Sequence, residues 1–327
     1  MSSSRIATFS DPHEYEMAIG AGQGARVLPT AKGDFHAELI QIDLSQLWMQ
    51  RGSESLPRIL IGGVKDRLGI EFPIAGDQSG FWHRGVHVSR GEIVVDDDQF
   101  RHRMTSTASR WGAISLAPED LTGNGRVLAG RELPCPSEAR VIRPAPIVMT
   151  RLLGLHDKAA RLAMEAPDML QHPEVGRSLE DSLIDLMIQC LTAGTAIKAG
   201  AARRRHAIVI KRFEEFLAAN YDRPLYLTEI CAATGASDGT LRACCHEYLG
   251  MGPMRYLWLR RMHMARHALI RADPATTTVT MIATDKGFWE LGRFSVEYRS
   301  MFGESPSASL RRVAGDRRAS SKRPLDA

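Results

Sequence analysis

Leu227-Thr-Glu-Ile-Cys-Ala-Ala-Thr-Gly-Ala-Ser-Asp-Gly-Thr-Leu-Arg-Ala-Cys-Cys-His-Glu-Tyr-Leu-Gly-Met-Gly-Pro253 and Val279-Thr-Met-Ile-Ala-Thr-Asp-Lys-Gly-Phe-Trp-Glu-Leu-Gly-Arg-Phe-Ser-Val-Glu-Tyr-Arg-Ser-Met-Phe-Gly-Glu-Ser-Pro306 are two versions of one pattern. Thr228, Ile230 and Gly235 recur as Thr280, Ile282 and Gly287, an offset of 52. Past the turn the offset becomes 53, pairing Leu241 with Phe294, Cys245 with Tyr298, Gly250 with Gly303 and Pro253 with Pro306. One residue has been gained in the turn while the apolar spacing is kept. Each segment reads as a helix-turn-helix unit, and two such units imply two helices presented to one DNA duplex.

Working outward, Ile208 to Tyr221 has the spacing of an amphipathic helix. Thr228 is expected to cap a helix over 229–234, with Gly235 supplying the left-handed residue of a sharp turn. Ser237 is expected to cap the next helix, with Asp238 in its first turn. Leu241, Cys245 and Leu249 then point inward, leaving Asp238, Thr240, Arg242, Ala243 and His246 on other faces. Gly252-Pro253 starts a long helix to Arg271, whose stripe of Met254, Leu257, Trp258, Met262, Ala265 and Leu269 suits a rigid strut. In the second unit Val279, Met281, Ile282 and Ala283 form the apolar side of the first helix. Phe294, Tyr298 and Phe302 mark the inner face of the next helix. Glu290, Leu291, Arg293, Ser295, Val296 and Arg299 lie around its outer surface.

The run Ser237-x3-Leu241-x3-Cys245-x4-Gly250-x2-Pro253, followed by Tyr256-Leu257-x3-Arg261-Met262-x2-Ala265-x3-Leu269, resembles the AraC/XylS family of bacterial transcription regulators. So does Ile282-Ala283-x3-Gly287-Phe288-x5-Phe294-Ser295-x2-Tyr298-x3-Phe302-Gly303-x2-Pro306. The resemblance implies that the helices starting at Ser237 and Glu290 are recognition helices entering successive major grooves, ~34 Å apart. It places the DNA-facing positions on Asp238, Gly239, Arg242, Ala243 and His246, then on Leu291, Gly292, Arg293, Ser295 and Val296. Ser237, Thr240, Glu290 and Arg299, beside them on the same two helices, are further DNA-binding candidates. Cys245 stands where the family usually has Phe, so Met251 or Trp258 would have to fill the first core. With so many small and apolar residues outside, hydrogen-bond readout rests mainly on Arg242 and Arg293, with thymine-methyl contacts from Leu291 or Val296. Arg255, Arg260, Arg311 and Arg312 are the expected phosphate contacts, and Arg261 the expected member of a buried ion pair.

At 327 residues the chain is long enough for two domains. Its net charge of +4 is uneven: residues 201–327 hold 21 Lys+Arg against 13 Asp+Glu, leaving 21 against 25 before them. Attraction to phosphate therefore belongs to the C-terminal third. The five cysteines, Cys135, Cys190, Cys231, Cys244 and Cys245, show no zinc spacing and are expected to be reduced thiols. Nor do they provide the thiol cluster of the alkyl-transfer relatives in that family. The N-terminal Met1-Ser-Ser-Ser-Arg5 lacks an apolar signal core, and no apolar run is long enough to span a bilayer, so a cytoplasmic protein is expected.

Between about Gly33 and Leu116, short alternating runs separated by Gly and Asp read as strands of an antiparallel sandwich or barrel. Two helical stripes follow, one through Val148, Leu152, Leu155, Ala159 and Leu162, the other through Leu179, Leu183, Leu186, Met187, Cys190 and Leu191. Either they pack on the sheet or one of them is a subunit interface. Gly33-Asp-Phe-His-Ala37, Leu47-Trp48, Leu56-Pro-Arg58 and Trp111-Gly-Ala-Ile-Ser-Leu116 resemble a subgroup of the same family, whose plan puts a cupin-like sensing or dimerising domain first. His83-x3-His87 followed by Glu92 and His102 is the one arrangement that imitates a metal-binding cupin, His83 and His87 sharing a face if one strand carries both. Phe35, Trp48, Phe81, Trp82 and Trp111 are candidates to line an apolar pocket or to form core.

The expected architecture is α+β with two domains. Residues 1–195 form a β-rich cupin-like barrel with trailing helices, 196–206 a linker, 207–313 an all-α double helix-turn-helix domain and 314–327 a basic disordered tail. The expected function is a sequence-specific regulator of transcription, dimeric, binding double-stranded DNA, controlled by a small-molecule effector and contacting RNA polymerase if it activates. No cofactor, catalytic residue, metal or membrane partner is expected. The alternatives are a metal-dependent cupin enzyme with a DNA-binding appendage, and a non-specific architectural DNA binder.

Overall fold

The computed structural model describes residues 2–20, 26–62, 64, 66–74, 80–96, 102–133, 140–197, 200–220, 223 and 225–311. Cys135, Arg312 and the expected tail 314–327 lie outside the described residues. The chain divides into two units, one of Met1–Pro29 with Phe35–Arg205, the other of Thr30–Asp34 with His206–Ala327.

The first unit opens with β1 (Ser3–Phe9), α1 (Pro12–Ile19), β2 (Arg26–Pro29), β3 (Ala37–Asp43), β4 (Trp48–Glu54) and β5 (Arg58–Ile61). It continues with β6 (Leu68–Pro73), β7 (Phe81–His83), β8 (Val86–His87), β9 (Ile93–Val95), β10 (His102–Thr105) and β11 (Ser109–Leu116). Then come α2 (Pro118–Ala129), β12 (Arg140–Arg143), α3 (Pro146–Glu165), α4 (Pro167–Gln171), α5 (Pro173–Ala193) and β13 (Thr195–Ile197). The strands pair as two antiparallel sheets, ordered β1-β3-β4-β11-β6-β9-β12-β13 and β2-β5-β10-β7-β8. The β-rich, helix-trailed half is thus as the sequence suggests, with the strands in two packed sheets.

The larger sheet is buried on both faces, which is why its strands do not alternate cleanly between apolar and polar. Ala37, Leu39, Val94, Trp111 and Val141 point into the core shared with Val27, Leu60 and Phe81 of the smaller sheet. Their neighbours Ile40, Ile42, Ile93, Val95, Ile114, Leu116 and Ile142 point the other way, into a second core with the helices. Leu152 and Ala159 of α3 and Leu179, Leu183, Leu186, Met187 and Cys190 of α5 fill that second core. The two helical stripes are therefore core.

The described residues of 196–206, which has the composition of a linker, belong to a strand and to a helix. Thr195, Ala196 and Ile197 pair with Arg143, Ile142 and Val141 at the sheet edge. The Ala- and Arg-rich run that follows opens the helix α6 (Ala201–Ala219), as the high helix propensity of both residue types favours.

The second unit comprises α6, α7 (Leu227–Thr234), α8 (Asp238–Leu249), α9 (Pro253–Arg271), α10 (Val279–Asp285) and α11 (Leu291–Phe302), with a last helical turn over 306–311. Among the described residues no helix is long and apolar enough to cross a membrane. Cys190, Cys231, Cys244 and Cys245 are free. Burial pushes the Cys190 thiol up to about 12 and the Cys244 thiol up to about 11, with nearby Glu247 adding to the second. Both thiols stay protonated, the unreactive form.

Candidate nucleic-acid interface

The two helix-turn-helix units are α7–α8 and α10–α11. Gly235 and Gly287 make the turns at φ +67° and +78°, and Gly250 and Gly303 close α8 and α11 at φ +68° and +73°. All four take the left-handed conformation that a Cβ would strain. The repeat is therefore one of backbone geometry as well as of sequence.

Capping differs from the sequence expectation in the first unit. Helix α7 begins at Leu227, so Thr228 lies inside it, and the Tyr226 N–H donates to Glu229 Oε2 at 2.9 Å. In the second unit Thr278 Oγ1 accepts from the Met281 N–H at 3.2 Å. Ser237 caps α8 as expected, accepting from the Thr240 N–H at 3.2 Å. Glu290 stands at the same place before α11 without a side-chain cap.

The inner faces are tightly filled. On α8, Leu241, Cys244, Cys245, Tyr248 and Leu249 are buried. On α11, Phe294 stacks with Phe288 and Tyr298 at ring centroids of 4.8 and 5.5 Å, and Tyr298 lies 4.7 Å from Phe302. The Tyr298 hydroxyl is hydrogen-bonded to Ser309 Oγ at 2.7 Å, which ties the last helical turn to α11. Met251 and Trp258 pack against the core of the second unit.

Helix α9 is buried on two sides. Leu259, Met262, Ala265 and Leu269 face the second core. Tyr256 turns toward α6, with its ring 5.9 Å from Phe213. Arg260 is one helical turn beyond Tyr256 and follows it, donating to Glu214 Oε2 at 2.6 Å with both side chains almost fully buried. Arg260 is thus a structural residue and not the expected phosphate contact. Arg261, expected to form the buried pair, is half-buried; it donates to the Arg223 carbonyl at 3.3 Å and lies beneath Gly287. Met254 and Met281, read as inward, are exposed.

The outer faces hold the candidate readers. Ser237, Asp238, Gly239, Thr240, Arg242, Ala243 and His246 are all exposed, as are Glu290, Gly292, Arg293, Ser295, Val296 and Arg299. Leu291 is half-buried against the second core, which leaves Val296, 71% exposed, as the more accessible apolar candidate on α11. Several polar groups are already engaged locally. Ser295 Oγ donates to the Leu291 carbonyl at 2.9 Å, and the Ser237 and Thr240 hydroxyls share a hydrogen bond at 2.9 Å. Arg242 Nε donates to Asp238 Oδ1 at 2.6 Å, and Arg293 Nε to Glu297 Oε1 at 2.9 Å. The hydrogen bond to Asp238, together with its charge, holds the Arg242 guanidinium above its ordinary value. Arg255 is exposed and stacks over Trp258 at 4.0 Å, and Arg311 is exposed.

His83 and His87 do not share a strand face. A turn through Arg84 and Gly85, at φ +46° and +73°, separates β7 from β8, so His83 sits opposite Val86 and His87 opposite Trp82. The expectation of one strand face carrying both fails at that turn. His83 is buried against Asp96 at 3.1 Å, and Glu92 accepts from Arg143 at 2.6 Å. Among the described residues no three His, Cys, Asp or Glu side chains converge on a metal-sized site. Of the aromatic candidates, Phe35, Phe81 and Trp111 are core. Trp48 stacks under Arg67 at 4.1 Å.

Residues 230–312 match the family model described as a helix-turn-helix domain. A probable thc operon regulatory protein of Rhodococcus erythropolis is 33% identical over 180 residues, 51% of this chain and 54% of that protein. The XylDLEGF operon transcriptional activator 2 of Pseudomonas putida is 32% identical over 100 residues, 31% of this chain and 64% of that protein. The chain thus spans a little over half the length of these curated relatives. A solved probable AraC family transcriptional regulator from Rhodopseudomonas palustris is 36% identical, covering 32% of this chain and 96% of that one, with a TM-score of 0.29. With its doubled helix-turn-helix and these relatives, the chain belongs to the AraC/XylS family of regulators.

Proposed function

We propose that this chain is a sequence-specific, DNA-binding regulator of transcription that inserts α8 and α11 into successive major grooves of one duplex. The observation that carries this reading is the repeated backbone geometry. Two helices of 12 residues each follow a left-handed glycine turn, end on a second left-handed glycine and turn an exposed row of side chains outward. Arg242 and Arg293 are the groups suited to bidentate recognition of guanine O6 and N7, and Ala243 and Val296 offer apolar surface to thymine methyls. Arg255, Arg299 and Arg311 are the exposed cations for the phosphate backbone, each neutralised phosphate adding ~0.9 to the salt slope.

The regulator is a homodimer in this reading, and the first unit carries the control. A pocket of about 710 Å³ lined by Thr8, Phe9, His36, Ser53, Ser109 and Arg110 lies at one end of the larger sheet. Its volume is within the usual range for small-molecule sites. An effector that binds there acts only if it prefers one arrangement of the dimer to another. RNA polymerase is the further partner if the chain activates.

Selection of bound fragments from random DNA by the full chain tests the reading, and Arg242→Ala refines it. On the selected site this variant is expected to bind roughly ten- to a hundredfold more weakly, with discrimination lost at one base pair. Titrations on single-base variants of the site read this directly. An equal loss on every sequence would make Arg242 a phosphate clamp, and no sequence preference in the wild-type chain would leave only architectural binding.

A further inference from the structure

The two reading arginines are held differently. Arg242 is paired with Asp238 on its own helix, and both side chains are about half exposed. An exposed pair one turn apart is weak and leaves the long side chain largely free to choose its rotamer. Arg293 is also paired one turn along its helix, with Glu297. Glu297, however, is only 29% exposed, and its second oxygen accepts from the indole N–H of Trp258 at 2.8 Å. Trp258 belongs to α9, packs against the second core and lies under the Arg255 guanidinium at 4.0 Å. A continuous contact path therefore runs from the strut helix through an indole and a carboxylate to the guanidinium on α11.

We propose that Trp258 and Glu297 are positioning residues that fix the Arg293 guanidinium for base recognition, so that the second helix-turn-helix reads its base pair with a pre-set arginine and the first with a mobile one. This rests on the DNA-reading function proposed above. The geometry leaves the working end of the arginine unobstructed. Glu297 takes Nε, and the two terminal nitrogens of Arg293 have no partner among the described residues. Those nitrogens form the fork that meets two acceptors on a guanine edge. Burial alone would push the Glu297 carboxyl up, but the hydrogen bonds from Arg293 and Trp258 and the charges of Arg293 and Arg255 outweigh it and hold it below the ordinary range. Glu297 therefore stays an anion, as the pairing requires. A carboxylate beside a DNA-binding surface repels phosphate, so Glu297 lowers general affinity while it orients Arg293.

The test uses the full chain on its selected site and on all single-base variants of that site. Arg293→Ala first identifies the base pair that Arg293 reads. Glu297→Gln, which removes the charge and keeps the shape, is expected to lose roughly tenfold of the discrimination at that base pair only. Its affinity for unrelated DNA should be equal to or above that of the wild type. Trp258→Phe, which keeps an aromatic side chain and removes the indole N–H, is expected to act in the same direction to a smaller extent. In the Arg293→Ala background neither change should reduce discrimination further, because the residue they position is gone. Equal shifts on all sequences, or effects that simply add to Arg293→Ala, would overturn the positioning role while leaving the DNA-reading function intact. If Arg293→Ala itself leaves every base preference unchanged, the positioning role and the reading role of Arg293 fall together.

Discussion

Replacing Glu214 with leucine is expected to destabilise the C-terminal unit by about 3–5 kcal/mol, the largest single-residue effect foreseen for it. Arg260 Nη1 lies 2.6 Å from Glu214 Oε2, with side-chain exposures of 5% and 6%. A guanidinium cannot escape such a site by losing its proton, as a lysine would, so removing its carboxylate leaves an uncompensated buried charge. The Tyr256 ring, 5.8 Å away, gives only a weak cation–π contact in return. Removing both charges is a different matter. Glu214→Leu with Arg260→Met replaces the pair with apolar volume, and such replacements are commonly neutral or stabilising. Hydrogen exchange of the α6 and α9 amides in the full chain reads the local unfolding free energy. A single variant within about 1 kcal/mol of wild type would contradict the buried-charge argument. So would a double variant as unstable as the single one. The double variant also separates structure from binding. If Arg260 touched phosphate its loss would reduce the salt slope by ~0.9, whereas a residue facing α6 leaves the slope unchanged.

The Arg260–Glu214 pair also marks how far the sequence is legible. The doubled unit is visible because its determinants are local. Gly235, Gly250, Gly287 and Gly303 are required by backbone conformation, and Leu241, Phe294 and Tyr298 by helical spacing. The exposed rows follow by subtraction. Helix α9 defeats that method because two different neighbours bury it, and a single apolar stripe cannot show a second buried face. Arg260 reads as a surface cation until the position of Glu214, 46 residues earlier, is known. Trp258 and Glu297 are 39 residues apart, and neither carries a local sign of the other. In the first unit the two-residue turn at Arg84-Gly85 is too short to be noticed between His83 and His87, yet it puts them on separate strands. The larger sheet, buried on both faces, likewise blurs the alternation that would have shown which strands it contains.

That two-sided burial has a consequence for the pH dependence of the first unit. His156 of α3 is fully buried over the larger sheet, edge-on to Phe72 at 5.2 Å, and its Nε2 lies 3.0 Å from the Gln50 carbonyl. A carbonyl only accepts, so Nε2 carries the proton of a neutral ring. Burial brings its pKa down from the ordinary 6.5 to about 4, and Arg51 reinforces this, against the Gln50 hydrogen bond and Asp157. His102 of β10 is pushed further, to about 3, by burial and by the nearby charges of His83, Arg84 and Arg103. Below pH 6.5 the unfolded chain takes up these protons while the folded unit does not, so stability falls with acidification by ~1.4 kcal/mol per pH unit for each histidine. The loss begins at about 6.5, well above the carboxylate range, and ends for His156 near pH 4. Glu71 works in the opposite direction. Burial raises its carboxyl, so the folded unit binds that proton first and gains stability as pH falls toward 4.5. His156→Gln isolates one contribution, because the amide can still donate to the Gln50 carbonyl but does not titrate. Its stability relative to wild type should improve by about 3 kcal/mol between pH 7 and pH 4, measured by hydrogen exchange of the α3 amides in the full chain. A difference that stays constant over that range would mean that the imidazole takes up its proton equally in both states. The buried neutral ring between helix and sheet would then be the wrong description of His156.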